Sequence, residues 1–100
     1  MLVEIQCLPT PSGTDHRPYA YVEAAIAEIL AAGIRYEVGA LGTTLEGEPD
    51  AVWPLLRSVH EACLTAGATS VITVVKLAQG SAPDGTPPMD TLVSDYRGHD

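Results

Sequence analysis

Basic residues are scarce in this sequence. Its 100 residues include 5 Lys and Arg against 13 Asp and Glu, which gives a formal net charge of -8 at pH 7. A nucleic-acid-binding protein needs a basic face that displaces counterions from phosphates, so the composition excludes that class. It disfavours an anionic membrane surface for the same reason, whereas a cationic ligand would suit an acidic protein.

Long apolar runs are also missing. No stretch approaches the roughly 20 apolar residues of a membrane-spanning helix. The first residues, Met1 to Glu4, lack the basic and apolar regions of a signal peptide. We therefore expect a soluble, cytoplasmic protein that folds as one small domain, with a core drawn from the 46% of residues that are hydrophobic.

Cysteine occurs only twice, as Cys7 and Cys63, and the two do not form a Cys-x-x-Cys pair. Both fall at core-facing positions of the patterns described next. We interpret them as reduced, buried thiols, with a disulfide or a metal pair as the alternatives.

Hydrophobic periodicity predicts six elements in the order strand, helix, strand, strand, helix, strand. Gly33 and Gly67 are expected to end the helices. Asp50 is the predicted N-cap of the second helix, which places Pro54 near the end of its first turn. The predicted elements span residues 2–8, 19–33, 34–40, 43–46 or 47, 50–66 and 69–77.

This element order predicts an α+β fold, a ferredoxin-like β-α-β-β-α-β sandwich. One four-stranded antiparallel sheet then carries both helices on one face. The other face has no helix to cover it and is partly apolar, as is usual for a face that another subunit covers. We therefore expect a homodimer or homotetramer, with sheets face to face or strands joined at their edges.

The end of the chain changes character. Residues 79–100 are rich in Pro and Gly and keep no apolar period. We assign residues 1–78 to the folded domain and expect a flexible C-terminal tail, with one short docked helical turn over 89–96 as the alternative.

Several motifs, in their order and spacing, resemble those of the thiamine-binding protein family, also called YkoF-like. The most specific is Gly-Thr-x-hydrophobic-Glu-Gly-Glu, present as residues 42–48. The others are Val3-Glu4-Ile5, the Pro-rich loop 9–14, Tyr21-Val22, Gly33-Ile34-Arg35-Tyr36-Glu37, His60-Glu61-Ala62 and Val75-Lys76-Leu77. The resemblance covers residues 2–77. Ala78-Gln79-Gly80 replaces the Asp and Arg that commonly follow the last strand, and the extension beyond has no match.

The resemblance implies a non-enzymatic protein that associates with itself and binds thiamine or its hydroxymethylpyrimidine part, with no cofactor. An aminopyrimidine needs a carboxylate, hydroxyl or amide partner and an apolar wall, and the cationic thiazolium ring needs negative charge nearby. The predicted ligand-binding residues, in a pocket between subunits, are Glu46, Thr43, Thr44, Tyr36, Gln6, Glu4 and His60.

Each of these residues also has a plainer interpretation. Glu46 either meets a ligand beneath a subunit contact, pairs with Lys76 or Arg35, or is solvated. Tyr36 suits a core or an interface, and His60 suits a hydrogen bond at the helix–sheet boundary. The potential ligands are too few for a metal site. A small isomerase or monooxygenase that uses His60 and Glu46, or an assembly module without a ligand, is the alternative function.

Overall fold

The structure, a computed structural model, describes residues 1–81. It contains the six predicted elements in the predicted order. Their bounds are β1 Leu2–Thr10, α1 Ala20–Ala31, β2 Arg35–Val38, β3 Thr43–Glu46, α2 Pro49–Ala66 and β4 Ser70–Ala78. The predicted tail, with its alternative helical turn, lies almost wholly outside the described residues.

The four strands form one antiparallel sheet in the order β2-β3-β1-β4. β1 pairs with β4 along its whole length, from Leu2 opposite Ala78 to Thr10 opposite Ser70. On its other side β1 pairs with β3, so that Ile5 lies opposite Thr43. This arrangement confirms the predicted ferredoxin-like fold.

One face of the sheet, the helix face, packs against α1 and α2 and forms the core. Side chains alternate along a strand, so Val3 and Ile5 of β1 share this face with Leu45 of β3. All three are buried, with Leu45 completely so. Against them pack Ala25 and Ile29 of α1 and Val52, Leu55, Leu56, Val59 and Cys63 of α2.

The beginning of α2 differs from the prediction. Glu48, with extended backbone angles, is the N-cap, and Pro49 is the first helical residue. Proline favours that position because its φ is already helical and its missing N–H would be unpaired there anyway. Asp50 is therefore not the cap; its carboxylate lies in the first turn, where it faces the positive end of the helix dipole.

The same shift moves Pro54 inside the helix, to its sixth residue rather than the end of the first turn. Its ring nitrogen leaves the Asp50 carbonyl without the usual helical partner. The Pro54 carbonyl itself accepts a hydrogen bond from Ser58 Oγ at 3.2 Å. The helix continues for three further turns because its inward side chains are buried against the sheet.

Both glycines predicted to end a helix have positive φ, +74° at Gly33 and +136° at Gly67. At Gly67 the N–H of the following Ala68 returns to the Cys63 carbonyl at 3.0 Å, which closes the end of α2. A Cβ at Gly67 would lie 2.7 Å from the Tyr21 hydroxyl. Glycine is therefore required there both by the backbone angle and by the space that Tyr21 occupies.

Candidate functional site

The predicted ligand-binding residues divide between the two faces of the sheet. The strand registers place four of them on the face away from the helices, called the open face below. The other three lie on the helix face. The open-face side chains are Glu4, Gln6, Thr44 and Glu46, and the helix-face side chains are Tyr36, Thr43 and His60. A single pocket cannot hold both groups of side chains from one protomer.

On the open face the charged residues lie opposite one another. Arg35 of β2 lies directly across from Glu46, and Lys76 of β4 lies directly across from Glu4. Opposite charges at such positions attract each other across the strands. Of the two basic partners predicted for Glu46, the register thus favours Arg35, and a ligand cation would compete with that guanidinium.

The open face also carries an apolar part. Leu8 of β1 lies opposite Ile72 of β4, and Val74 lies opposite Gln6. The exposed fractions are 46% for Leu8, 68% for Ile72 and 52% for Val74. Large side chains that are adjacent and this exposed are typical of a surface that another chain covers.

On the helix face, His60 of α2 reaches β4. Its Nδ1 lies 2.5 Å from Thr73 Oγ1, and this hydroxyl donates a hydrogen bond to Cys7 Sγ at 3.6 Å. The predicted hydrogen-bonded His60 at the helix–sheet boundary is confirmed. Among residues 1–81 no group of three or more His, Cys, Asp or Glu is arranged to hold a metal ion.

Both cysteines are free thiols between the helices and the sheet. Cys63 is completely buried, while Cys7 is half-buried and packs against the core. Burial, together with the charge and the hydrogen bond of the neighbouring Cys7, raises the pKa of Cys63 to about 11. Cys63 is therefore a protonated, unreactive thiol at neutral pH.

A cavity of about 150 Å³ lies between β1, α1 and the turn that joins β2 to β3. The turn supplies residues 38–43, α1 supplies its apolar side chains from Val22 to Ile29, and β1 supplies Ile5 and Cys7. Gln6 also lines it, through its main chain, because strand alternation directs its side chain to the open face. Of the seven predicted residues, the cavity thus includes Thr43 and the backbone of Gln6.

Thr43 contributes a polar side chain to the wall of this cavity. It is 6% exposed, and its hydroxyl makes no hydrogen bond with the rest of the described chain, 1–81. Every fully buried side-chain nitrogen or oxygen of residues 1–81 has a hydrogen-bond partner, so the unpaired Thr43 hydroxyl keeps some contact with the open space of the cavity. Thr43 therefore offers a donor and an acceptor to whatever occupies the cavity.

Sequence reasoning missed the cavity because its walls come from segments that are far apart in the chain. The one local signal is the run Gly39-Ala40-Leu41-Gly42, where a Cβ at Gly39 would lie only 3.0 Å from the Gly42 carbonyl oxygen. Gly39 N–H donates to the Gly42 carbonyl at 2.8 Å, which fixes the turn at the cavity rim. Gly42 lies so close to the Ile5 carbonyl that a Cβ there would be 3.2 Å from that oxygen.

Within the described part of the chain, neither helix is long and apolar enough to cross a membrane.

The sequence model of a family described as thiamine-binding protein matches residues 3–97. The match extends beyond the resemblance over 2–77, so most of the C-terminal segment belongs to the family's sequence pattern. That corrects the expectation that the extension has no match.

Known relatives agree with this match. A UPF0045 protein of Clostridium perfringens is 36% identical over 95 residues, which are 95% of each chain. A solved DUF77 domain from Bacillus cereus has a TM-score of 0.77 and 35% identity, covering 97% of this chain and 91% of that one. A Thermotoga maritima protein, provisionally assigned to thiamine biosynthesis or salvage, has a TM-score of 0.78 and 25% identity, covering 96% and 97%.

The structural similarity spans nearly the whole chain, and the sequence identity holds over the same length. The fold, the family match and the relatives lead to one conclusion. This chain belongs to the thiamine-binding protein family.

Proposed function

We propose that this protein binds thiamine or its hydroxymethylpyrimidine part without converting it, and that the pyrimidine ring occupies the cavity beside Thr43. The observation that carries the proposal is the mostly apolar cavity itself, with the hydroxyl of the largely buried Thr43 available on its wall. A mostly apolar wall with a few placed polar groups is the usual composition of a small-molecule site.

The size of the cavity supports one ring rather than two. Ligand pockets for drug-sized molecules measure about 300–1,000 Å³, whereas a cavity of roughly 150 Å³ holds a single six-membered aromatic ring. At about 150 Å³ the cavity fits the pyrimidine. The thiazolium ring of thiamine would then remain at the mouth, where the net charge of -8 favours a cation.

The positions of the acid–base candidates support binding over catalysis. An enzyme on this scaffold would need His60 and Glu46 to act on one substrate. His60 contacts β4 on the helix face, whereas Glu46 lies on the open face opposite Arg35. The sheet separates the two side chains, so one substrate cannot contact both within a protomer.

The open face supports self-association into a homodimer or homotetramer. Its exposed Leu8, Ile72 and Val74 would be buried beneath a second copy, together with Glu4, Thr44 and Glu46. A subunit contact on the open face is also the alternative to the cavity as the ligand's location. In that case Glu46 would face the positive charge of the thiazolium ring. Sedimentation of an Ile72→Lys variant tests the contact, because a buried unpaired ammonium would dissociate the oligomer.

Calorimetric titration with hydroxymethylpyrimidine and with thiamine tests the proposal. We expect the two affinities to differ by less than about tenfold, since the cavity admits one ring. Glu46→Gln should leave both affinities unchanged if the ring lies in the cavity and should weaken thiamine selectively if the open face holds the thiazolium. No heat and no thermal shift with either compound at millimolar concentration would refute thiamine-type binding, because a ligand in excess stabilises the folded state.

A further inference from the structure

Leu41 lies at the mouth of the cavity. It is 82% exposed, the largest fraction among the exposed large hydrophobic residues of 1–81, and it also lines the cavity. A residue that contacts both the solvent and the cavity lies where the two meet. Val38, which precedes the turn, is 48% exposed and lines the cavity as well. The mouth is therefore apolar on the side of the turn.

The backbone that carries Leu41 is held in place. The hydrogen bond from Gly39 N–H to the Gly42 carbonyl, at 2.8 Å, closes the base of the turn. Gly42 in turn lies close against the Ile5 carbonyl of β1. An exposed side chain changes rotamer within nanoseconds. The Leu41 side chain can therefore rotate over the cavity while the turn stays where it is.

The wall of the cavity offers no partner to a positive charge. Within the described chain, none of the residues that line it is charged. Glu4 lies near the turn, with its Cγ 3.4 Å from the place of a Gly42 Cβ, but strand alternation puts the Glu4 side chain on the open face. A cation covered by the apolar mouth would lose water without gaining a partner, whereas a neutral ring has no such loss.

We propose that Leu41 is a specificity-determining residue, whose side chain packs over a neutral aromatic ring in the cavity and so favours a neutral one-ring ligand over one with a cation attached. The inference rests on the proposed binding of the pyrimidine ring in the cavity. It predicts that free hydroxymethylpyrimidine binds more tightly than thiamine, whose thiazolium ring at the mouth keeps Leu41 away. The net charge of -8 still attracts the cation, so the preference is severalfold rather than absolute.

Calorimetric titration of the whole chain and its Leu41 variants with both compounds tests the proposal. Leu41→Ala should weaken hydroxymethylpyrimidine about fivefold and thiamine less than about twofold, because only the neutral ring loses apolar cover. Leu41→Met should restore the preference, and Leu41→Glu should reverse it by placing a carboxylate beside the thiazolium. Leu30→Ala is the matched control, an exposed leucine on α1 that does not line the cavity, and it should change neither affinity.

A second pair of probes separates this inference from thiamine-type binding. Benzyl alcohol and benzyltrimethylammonium carry the same ring, without and with a cation, and neither is a pyrimidine. Leu41→Ala should weaken benzyl alcohol more than benzyltrimethylammonium, and NMR should show Overhauser contacts between the ring protons of a bound neutral compound and the Leu41 methyl groups. This result, with no binding of hydroxymethylpyrimidine or thiamine, would support the role of Leu41 and refute the proposed ligand.

Three results would overturn the role of Leu41. They are a failure of both neutral compounds to bind, a bound ring without Overhauser contacts to Leu41, and an equal loss for the neutral and the cationic member of a pair in Leu41→Ala. Unfolding of the variants gives no alternative explanation, because Leu41 is exposed and its truncation leaves the core intact.

Discussion

Replacing Thr43 by valine exchanges a hydroxyl for a methyl group of nearly the same volume. The Thr43 side chain is buried beside the cavity and its hydroxyl makes no bond to the described chain. The unliganded protein therefore loses no hydrogen bond, and valine is at least as good a strand residue as threonine. We expect the free energy of unfolding to change by less than about 0.5 kcal/mol.

The same exchange has a larger effect on the ligand. A pyrimidine amino group or ring nitrogen that bonds Thr43 would be left buried and unpaired against valine, at a cost of about 1–3 kcal/mol. Because each 1.4 kcal/mol or so corresponds to a factor of ten, the dissociation constant should rise roughly tenfold or more. Calorimetric titration gives this change, and urea unfolding without ligand gives the stability.

Thr44→Val is the matched control, since it makes the same exchange one residue along β3 on the opposite face. It should leave the affinity for hydroxymethylpyrimidine unchanged. Unchanged affinity in Thr43→Val would show that the ring does not contact this hydroxyl. Destabilisation of the unliganded Thr43→Val protein by more than about 1 kcal/mol would show that the hydroxyl has a partner within the protein.

Three further predictions concern stability. Leu45→Ala should lower the free energy of unfolding, measured in urea, by about 2–5 kcal/mol, because Leu45 is completely buried between the sheet and the helices. A loss below about 1 kcal/mol would contradict that packing. Gly67→Ala should lower the free energy of unfolding several times more than Gly33→Ala. Both positions have positive φ, but only a Cβ at Gly67 would meet a neighbour, the Tyr21 hydroxyl at 2.7 Å. Equal losses would show that Tyr21 moves away freely. The Cys63 pKa, raised from 9.0 to about 11, means that the folded state retains a proton that the unfolded chain releases. Stability should thus hold below pH 9 and fall by about 1 kcal/mol per pH unit between 9 and 11. Cys63→Ala, measured by urea unfolding at each pH, should remove this slope, and an unchanged slope would assign it to other groups.

The sequence was sufficient to predict the order of the elements and the side of each strand that is buried. Val3 and Ile5 alternate with polar residues, and a period of two determines a strand face without reference to any partner. Gly33 and Gly67 ended their helices as predicted because the requirement for positive φ is local. The N-cap of α2 was wrong by two residues, since Pro49 and Asp50 both suit a helix beginning and the pattern alone does not rank them.

The candidate site depended on contacts between distant segments. Thr44 and Glu46 were correctly assigned to one strand face, but that face lies opposite Thr43, and only the register of β3 with β1 and β2 brings Arg35 next to Glu46. The cavity likewise joins residues on different elements. Periodicity along the chain determines which way each side chain points. The neighbours of that side chain depend on how the strands pair and the helices pack, and the tertiary structure alone decides this.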